Sequence, residues 1–347
     1  AEEWCYAGKR FGDPKAVVGS RHDQYQALSL YCLARYFCKY YPHIVWQRNL
    51  EAAQYLFSSL SRSAQLAGEL DHLWWLSTGL EPVMSYMLIG DDSRALESGV
   101  LQAVLRAYDA IISCEHDDEH LRYQSISFAH KATYLIGDNR FLYYRNLTNL
   151  DLSIFRIGQS FLPVEDLERR PTELANRIVV APIQIERWHV HPEQMYPYRC
   201  PVSTPIPYEQ AFRFLSYRTG VTEKDDYLMI DGFNEGVVNP YHCLAIYKLR
   251  INDKILLHGY LNEFILRHGG LTEHSIPIAS ALKVQNVFGD VAHIEAEVPN
   301  FSFGSWLRRI LHVARSWTLV IDEFVPNRNL DDLEMTTQWQ LPSSPQV

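Results

Sequence analysis

The character of this 347-residue chain changes once, near residue 150, and does not change back. Before that point apolar residues recur at three- and four-residue spacing between turn signals, the mark of helices buried along one face. After it, prolines crowd positions 163, 171, 182, 192, 197, 201, 205 and 207, and short runs rich in β-branched and aromatic residues follow. Helices first and strands afterwards argue against a parallel α/β sheet and for an α part joined to a separate antiparallel β-sandwich. The length agrees, because single hydrophobic cores stop growing below this size.

The spacing predicts helices over 22–41, stopped by Pro42, over 44–67, stopped by Gly68, and over 72–89, before Gly90-Asp91-Asp92. Three more follow over 93–114, over 119–136 before Gly137-Asp138, and over 139–149. Connections this short force antiparallel neighbours, so the first half reads as a row of αα-hairpins. Strands are expected over Ile178–Val190, Tyr227–Ile230, Leu244–Ile251, Ile255–Tyr260, Ala292–Val298, Leu307–Val313 and Trp317–Val325, with Asn252-Asp253 as a tight hairpin turn. The resulting division is a helical domain over 1–150, a linker with the first strands over 151–220, and a sandwich over 221–347.

Charge narrows the partners. With 32 Lys and Arg against 41 Asp and Glu the formal net charge is −9, which speaks against nucleic acid held on a broad basic surface. No apolar run reaches the roughly 20 residues needed to span a bilayer, so membrane insertion is not expected. The six cysteines (5, 32, 38, 114, 200 and 243) are scattered without a CxxC pair and read as small apolar packers. The chain opens Ala-Glu-Glu-Trp, without an initiator Met or a signal-peptide stretch, which fits a processed protein or, as favoured here, a fragment.

A short pattern recurs at three expected helix starts: Arg21-His22-Asp23-Gln24-Tyr25, Asp71-His72-Leu73-Trp74-Trp75 and Glu119-His120-Leu121-Arg122-Tyr123. The histidines are 50 and 48 positions apart, about one αα-hairpin, so the clusters fall on every second helix and should share one end of the array. Adjacent indoles cannot both face one core, so Trp74 or Trp75 is left for solvent or for the C–H face of a sugar ring; packing inward and between helices is the alternative.

The β half carries a more specific pattern. Asn239-Pro240-Tyr241-His242-Cys243 opens a strand, Asn252-Asp253 turns it, and His258-Gly259-Tyr260 closes the next; Leu271-Thr272-Glu273-His274-Ser275 follows, then Trp306-Leu307-Arg308-Arg309 and Trp317 to Asp322-Glu323. Over roughly 220–340 this order resembles the heparinase II/III-like polysaccharide lyases, with the likeness over the helical half one of architecture only. The resemblance implies an α+β multidomain fold, an incomplete (α/α) toroid of helical hairpins followed by an antiparallel β-sandwich. It also implies a periplasmic or secreted enzyme acting on acidic polysaccharides such as glycosaminoglycans or alginate. Where the family has His-x-His or His-x-Asp, this chain has His242-Cys243, and His258 stands where an aspartate is common. A structural divalent metal therefore has no assigned ligands, and no other cofactor is implied.

Such lyases remove the C5 proton of a uronic acid and expel the oxygen at C4, which requires the carboxylate to be neutralised, a base near C5 and an acid at the leaving oxygen. The residues assigned to catalysis are Tyr123, His242 and His72, with His22, Tyr25, Trp74, Trp75, His120, Arg122, His274 and Arg308 for substrate. Arg21, Arg122, Arg218, Arg267 and one of Arg308 or Arg309 are the cations expected to meet uronate carboxylates, since arginine grips a carboxylate with two bonds. Two other readings stay open: a glycoside hydrolase using Asp71, Asp117, Asp118 or Glu119 as paired carboxylates, and a non-catalytic glycan-binding relative.

Overall fold

The computed structural model describes residues 21–60, 73–90, 92–97, 99–112, 131–138, 140, 175–182, 206–222, 224–234, 243–259, 262–270, 278–301 and 303–339. The chain divides into two compact units. One comprises Ala1–Tyr108 with His116–Pro171, the other Asp109–Glu115 with Thr172–Val347.

In the first unit the described helices are α1 (Arg21–Tyr40), α2 (Ile44–Leu60), α3 (Leu73–Gly90), the single turn α4 (Arg94–Glu97) and α5 (Val100–Ile111), whose last three residues are counted with the second unit. Residues 131–136 are helical as well. α1 buries Gln24, Ala27, Leu30, Tyr31 and Ala34, the three-and-four spacing of one helical face. Pro42 ends it as expected, Phe37 stacks on Trp46 across the turn at 4.4 Å, and α1 packs on both α2 and α3. Phe57 of α2 stacks on Tyr86 of α3 at 4.2 Å, and Tyr31 meets the same ring edge-on at 4.8 Å. Lys131 joins Glu81 and Ser85, each at 2.8 Å. The helix expected over 93–114 is broken at Gly99, whose φ of +75° no helix contains. Asp92 caps the short piece by accepting from the Arg94 backbone N–H at 3.1 Å. The Arg94 guanidinium on Asp92 holds that carboxyl down at about 2. Residues 61–67, 113–114, 119–130 and all but residue 140 of the helix expected over 139–149 lie outside the described residues. The described helices establish hairpin packing but not a ring.

The second unit is antiparallel throughout its described sheets. Five strands, β1 (Arg177–Pro182), β2 (Phe212–Arg218), β3 (Tyr227–Asp231), β5 (Ile246–Ile251) and β6 (Lys254–His258), form a sheet in the order β1-β2-β3-β5-β6. A second sheet runs β12-β11-β10-β9, from β9 (Ala281–Phe288), β10 (Val291–Phe301), β11 (Gly304–Val313) and β12 (Trp317–Pro326). β7 (Asn262–His268) pairs with β13 (Leu333–Trp339), and the two-residue strands β4 (Phe233–Asn234) and β8 (Ile278–Ala279) pair with each other. One apolar core takes residues from both large sheets: Phe212, Leu215, Leu228 and Ile246 from the first, and Ile294, Val298, Trp306 and Ile310 from the second. Trp306 is fully buried and stacks on Phe264 of β7 at 4.7 Å.

Alternation defines the four-stranded sheet. On β11 Trp306, Arg308, Ile310 and His312 are buried, while Leu307, Arg309, Leu311 and Val313 face outward. On β12 Trp317, Leu319, Ile321, Glu323 and Val325 are exposed, and among the described residues this strand pairs only with β11. The hairpin at Asn252-Asp253 is present, with φ of +49° and +64°, the double positive value of a type I′ turn. The strand expected from Leu244 begins instead at Ile246, because Leu244 takes a φ of +58° that no strand accommodates. Strands β2, β4, β7, β8, β9 and β13 lie outside the segments that the sequence predicts as strands. No described helix is long and apolar enough to cross a membrane.

The turns at one end of this unit are tied together by a buried carboxylate. Asp226 accepts from the Asn252 backbone N–H at 2.9 Å, from that of Arg315, and from His312 Nε2 at 3.1 Å; Asp226 and His312 are both fully buried. A carboxylate only accepts, so Nε2 carries the hydrogen and Nδ1 takes the Thr318 hydroxyl at 2.7 Å. Burial, opposed in part by Asp226, holds the ring below its ordinary titration range.

Candidate functional site

The described part of the expected site centres on the start of β5, the residues that follow His242 in sequence. Cys243 is fully buried, its Sγ 3.5 Å from the Gly232 carbonyl, and burial pushes its thiol up with Asp231 adding to the effect, so it stays protonated and is no nucleophile. Gly232 is required there, since a Cβ would lie 2.4 Å from the Phe212 ring and 2.6 Å from the Phe212 carbonyl oxygen. Its own carbonyl takes the Ser280 hydroxyl at 2.6 Å.

Leu244 is the strained member. A leucine at φ +58° pays for Cβ crowding by roughly 1–2 kcal/mol. The surroundings enforce it. Its N–H donates to the Asp231 carbonyl at 2.7 Å, the Asp231 N–H donates to the Ala245 carbonyl at 3.1 Å, and its side chain is 1% exposed. Arg308 Nη1 donates to the Leu244 carbonyl at 2.7 Å.

The same guanidinium organises the rest. Nε and Nη2 grip Asp322 at 2.7 and 3.0 Å, and Nη1 also reaches Asn262 Oδ1 at 2.9 Å. Asn262 in turn treats Ile246 as a strand would, donating to its carbonyl at 2.7 Å and accepting from its N–H at 2.9 Å. Trp306 Nε1 donates to Asp322 at 2.9 Å, and the Arg308 guanidinium lies 4.9 Å from the Trp306 ring and 5.7 Å from that of Trp339. Each charge has its counter-charge and its hydrogen bonds, which is what makes an ion pair tenable in an interior.

The structure brings none of the three catalytic candidates together among the described residues. Tyr123, His242 and His72 lie outside them, as do His120, Arg122 and His274. His22 lies in α1 and Trp74 and Trp75 in α3, at positions where the backbone alone is described, so the shared end expected for His22, His72 and His120 also falls outside. Tyr25 is 39% exposed on α1, and Ser29 Oγ donates to its carbonyl at 2.9 Å. Arg308 is 1% exposed, held between Asp322, Asn262 and Leu244 rather than presented to a ligand. Arg218 is equally buried, donating to the Asp109 carbonyl at 2.6 Å. Arg267 is exposed on β7, and Arg309 is part-exposed and paired with Glu323 at 2.7 Å. Among the described residues no three or more His, Cys, Asp and Glu side chains are arranged to hold a metal.

The crystal structure of a heparinase III superposes on this chain with a TM-score of 0.54, covering 89% of it at 10% identity. The fold is heparinase-like. The aligned region is 48% of that neighbour, so the chain spans about half its length. A mutant of the heparan sulfate lyase HepC from Pedobacter heparinus covers 91% of this chain and 56% of its own at 11% identity and a TM-score of 0.36. A heparinase III with methylated lysines covers 87% and 53%, at 11% identity and 0.30. No protein-family model matches the sequence, and no curated protein matches it significantly.

Asn262 escaped the sequence reading, and so did the meeting of Arg308 with Asp322. Only the second had a signal. A hairpin centred on residue 315 places 308 opposite 322 and 306 opposite 324, as the observed register does. Nothing in Asn262-Glu263-Phe264 marks the asparagine as a backbone mimic.

Proposed function

We propose that this chain is part of a polysaccharide lyase that cleaves a uronic-acid-containing polysaccharide by β-elimination. The observation that carries the reading is the heparinase-like fold over 89% of the chain, and the order of His242, His274, Arg308 and Asp322 along the β half supports it. The substrate class is a glycosaminoglycan of the heparin type. Such a polymer does not cross a bilayer, which places the enzyme in the periplasm or outside the cell.

The C5 proton of a uronate is held by a carbon next to a carboxylate and becomes removable only when that carboxylate is neutralised. Arg122 is assigned to this task. A phenol beside a cation can give up its proton, and imidazole titrates near neutrality, so Tyr123 and His242 supply base and acid, with His72 as their companion. The base takes the proton from C5, the C4–O bond breaks with its electron pair going to oxygen, and the acid protonates that oxygen. The double bond left between C4 and C5 absorbs in the near ultraviolet. His22, Tyr25, Trp74, Trp75, His120 and His274 are assigned to substrate.

The test is incubation with heparan sulfate, heparin, chondroitin sulfate and alginate, read at the absorbance of the unsaturated product. Wild-type protein is expected to raise it on at least one polymer. Tyr123→Phe and His242→Ala are each expected to lower the rate about 10²–10⁴-fold, the range a general acid or base contributes. Reducing ends appearing without absorbance would show hydrolysis, and binding without turnover a glycan-binding protein. Either outcome would overturn the lyase.

A further inference from the structure

The geometry points to the corner between α1 and α2 as a glycan-binding surface, where Tyr36, Tyr40 and Tyr41 stack on the sugar rings of an acidic polysaccharide and Arg35, Lys39 and Arg48 meet its anionic groups. The identity of the polymer rests on the lyase reading above, which gives none of these residues a part. Tyr36, Tyr40, Tyr41 and Ile44 are 52, 55, 63 and 57% exposed. A single exposed apolar side chain is ordinary, but four around one corner of the chain, each more than half exposed, mark a surface that meets something. The rings are in place before any ligand arrives. Tyr36 and Tyr40 stand one turn apart on α1 with centroids 4.9 Å apart, and Tyr36 meets Phe37 edge-on at 5.4 Å. Phe37 stacks in turn on Trp46, so the platform rests on a contact between both helices. The Tyr41 N–H donates to the Phe37 carbonyl at 2.7 Å, which carries α1 into the turn. A surface already formed loses little freedom on binding.

Charge selects the partner. From Gln24 to Leu50 the chain carries Arg35, Lys39, His43 and Arg48 but no Asp or Glu, whereas 41 acidic residues spread evenly over 347 would put about three there. A chain of net charge −9 thus turns one locally cationic corner to solvent. Arg35, Lys39 and Arg48 are exposed, and among the described residues none of them is paired with a carboxylate. Arg35 and Lys39 run beside Tyr36 and Tyr40 at the same four-residue spacing, a cationic row next to an aromatic one. Arg35 Nη1 donates to the Ile89 carbonyl, which anchors its guanidinium, and Lys39 Nζ lies 5.1 Å from the centre of the Tyr40 ring. An acidic sugar presents the matching pair of surfaces, an apolar C–H face and a carboxylate or sulfate at its edge. The phenol hydroxyls both donate and accept, which suits sugar hydroxyls, whereas helices that lie on membranes expose Trp, Phe and Leu.

The test titrates heparin, and neutral dextran as a control, into wild type, Tyr36→Ala/Tyr40→Ala/Tyr41→Ala and Lys39→Gln/Arg48→Gln, all in the full chain and with circular dichroism confirming the fold. Should the triple variant not fold, Tyr40→Ala alone is held to the same criterion. Wild type is expected to bind heparin and not dextran, and each variant to bind heparin about tenfold more weakly. Salt separates the two variants. Losing Lys39 and Arg48 should flatten the fall of affinity with ionic strength, whereas losing the rings should leave that slope as in wild type, because only the cations displace counterions from a polyanion. Wild type that binds no heparin, or binds dextran equally well, overturns the inference. So does a folded tyrosine variant with affinity within twofold of wild type. A concentration-dependent dimer abolished in the tyrosine variant would assign the corner to a second copy, and sedimentation with phosphatidylserine vesicles in place of heparin binding would assign it to a membrane; either result also overturns the inference. Heparin held at this corner with no unsaturated product from any polymer leaves the inference standing and removes the lyase. Where turnover is present, the tyrosine variant should raise KM for the polymer and keep the wild-type kcat, and a fall in kcat at unchanged KM overturns the binding role.

Discussion

Arg308 and Arg309 are consecutive in sequence, stand on opposite faces of β11, and meet carboxylates that are themselves consecutive on β12, Asp322 inside and Glu323 outside. Inside, the guanidinium is 1% exposed and grips its partner with two nitrogens while bonding a carbonyl and an amide oxygen as well. Outside, a side chain one third exposed touches Glu323 at 2.7 Å and Glu295 at 3.6 Å. The distances to the nearest oxygen are alike, and the energies are not. A desolvated charge that loses its partner has no water to turn to, whereas an exposed one simply rehydrates. A bond length read without its surroundings would rank the two pairs together.

The largest expected effect is on the inner pair. Arg308→Met leaves Asp322 inside without its cation and should cost roughly 3–5 kcal/mol. At about 2–4 °C per kcal/mol for a unit of this size, thermal unfolding should show a fall of order 10 °C. The double variant Arg308→Met/Asp322→Leu should regain most of that, since the penalty lies in the orphaned charge. A loss below about 1 kcal/mol in the single variant would erase the distinction between the faces.

A second contrast lies within the inner face, between Arg308 and His312. Arginine keeps its charge throughout the accessible pH range, whereas burial holds the His312 ring below its usual range despite the pull of Asp226. As pH falls, the unfolded chain takes up a proton at this histidine before the folded one does. The stability it contributes is thus complete above the ordinary pKa of about 6.5 and is lost as pH drops through that value toward the folded-state one. Denaturant midpoints between pH 8 and pH 5 should fall for wild type and fall less for His312→Asn. Parallel curves would mean that the buried ring does not titrate in this window.

The smallest effect belongs to the outer pair. Arg309→Ala should cost well under 1 kcal/mol, and less in high salt, because two partly solvated charges lose little on separation. A cost comparable with that of Arg308→Met would show that the outer face is covered in solution.

Much of the fold was legible because periodicity is a direct image of burial. Pro42 ended α1, the double turn at Asn252-Asp253 joined β5 to β6, and the strands from β10 to β12 stood where alternating residues placed them. The unanticipated strands failed for opposite reasons. β2 is buried at every position and yet carries Arg213 and Arg218, so its composition reads as neither alternating nor apolar. β13 is exposed at nearly every position, with Glu334, Thr336, Thr337 and Gln338 leaving no apolar rhythm. At the site, Arg308 was singled out for the right element and the wrong environment, because charge type is written in the sequence and solvation is not. Asn262 was invisible, since mimicry of a strand backbone depends on where Ile246 lies in space.

The edge strand β12 bears on how the protein behaves in concentrated solution. It offers a row of Trp317, Leu319, Ile321 and Val325 beside a ladder side that no described strand occupies, the kind of border on which sheets of separate molecules can join. What opposes such joining is a net charge of −9 shared by every copy. At physiological ionic strength that repulsion fades over about 8 Å, less than two strand spacings. The charge therefore guards the last step of an encounter and not the approach, and the colloidal stability of the protein depends on keeping salt low where its concentration is high.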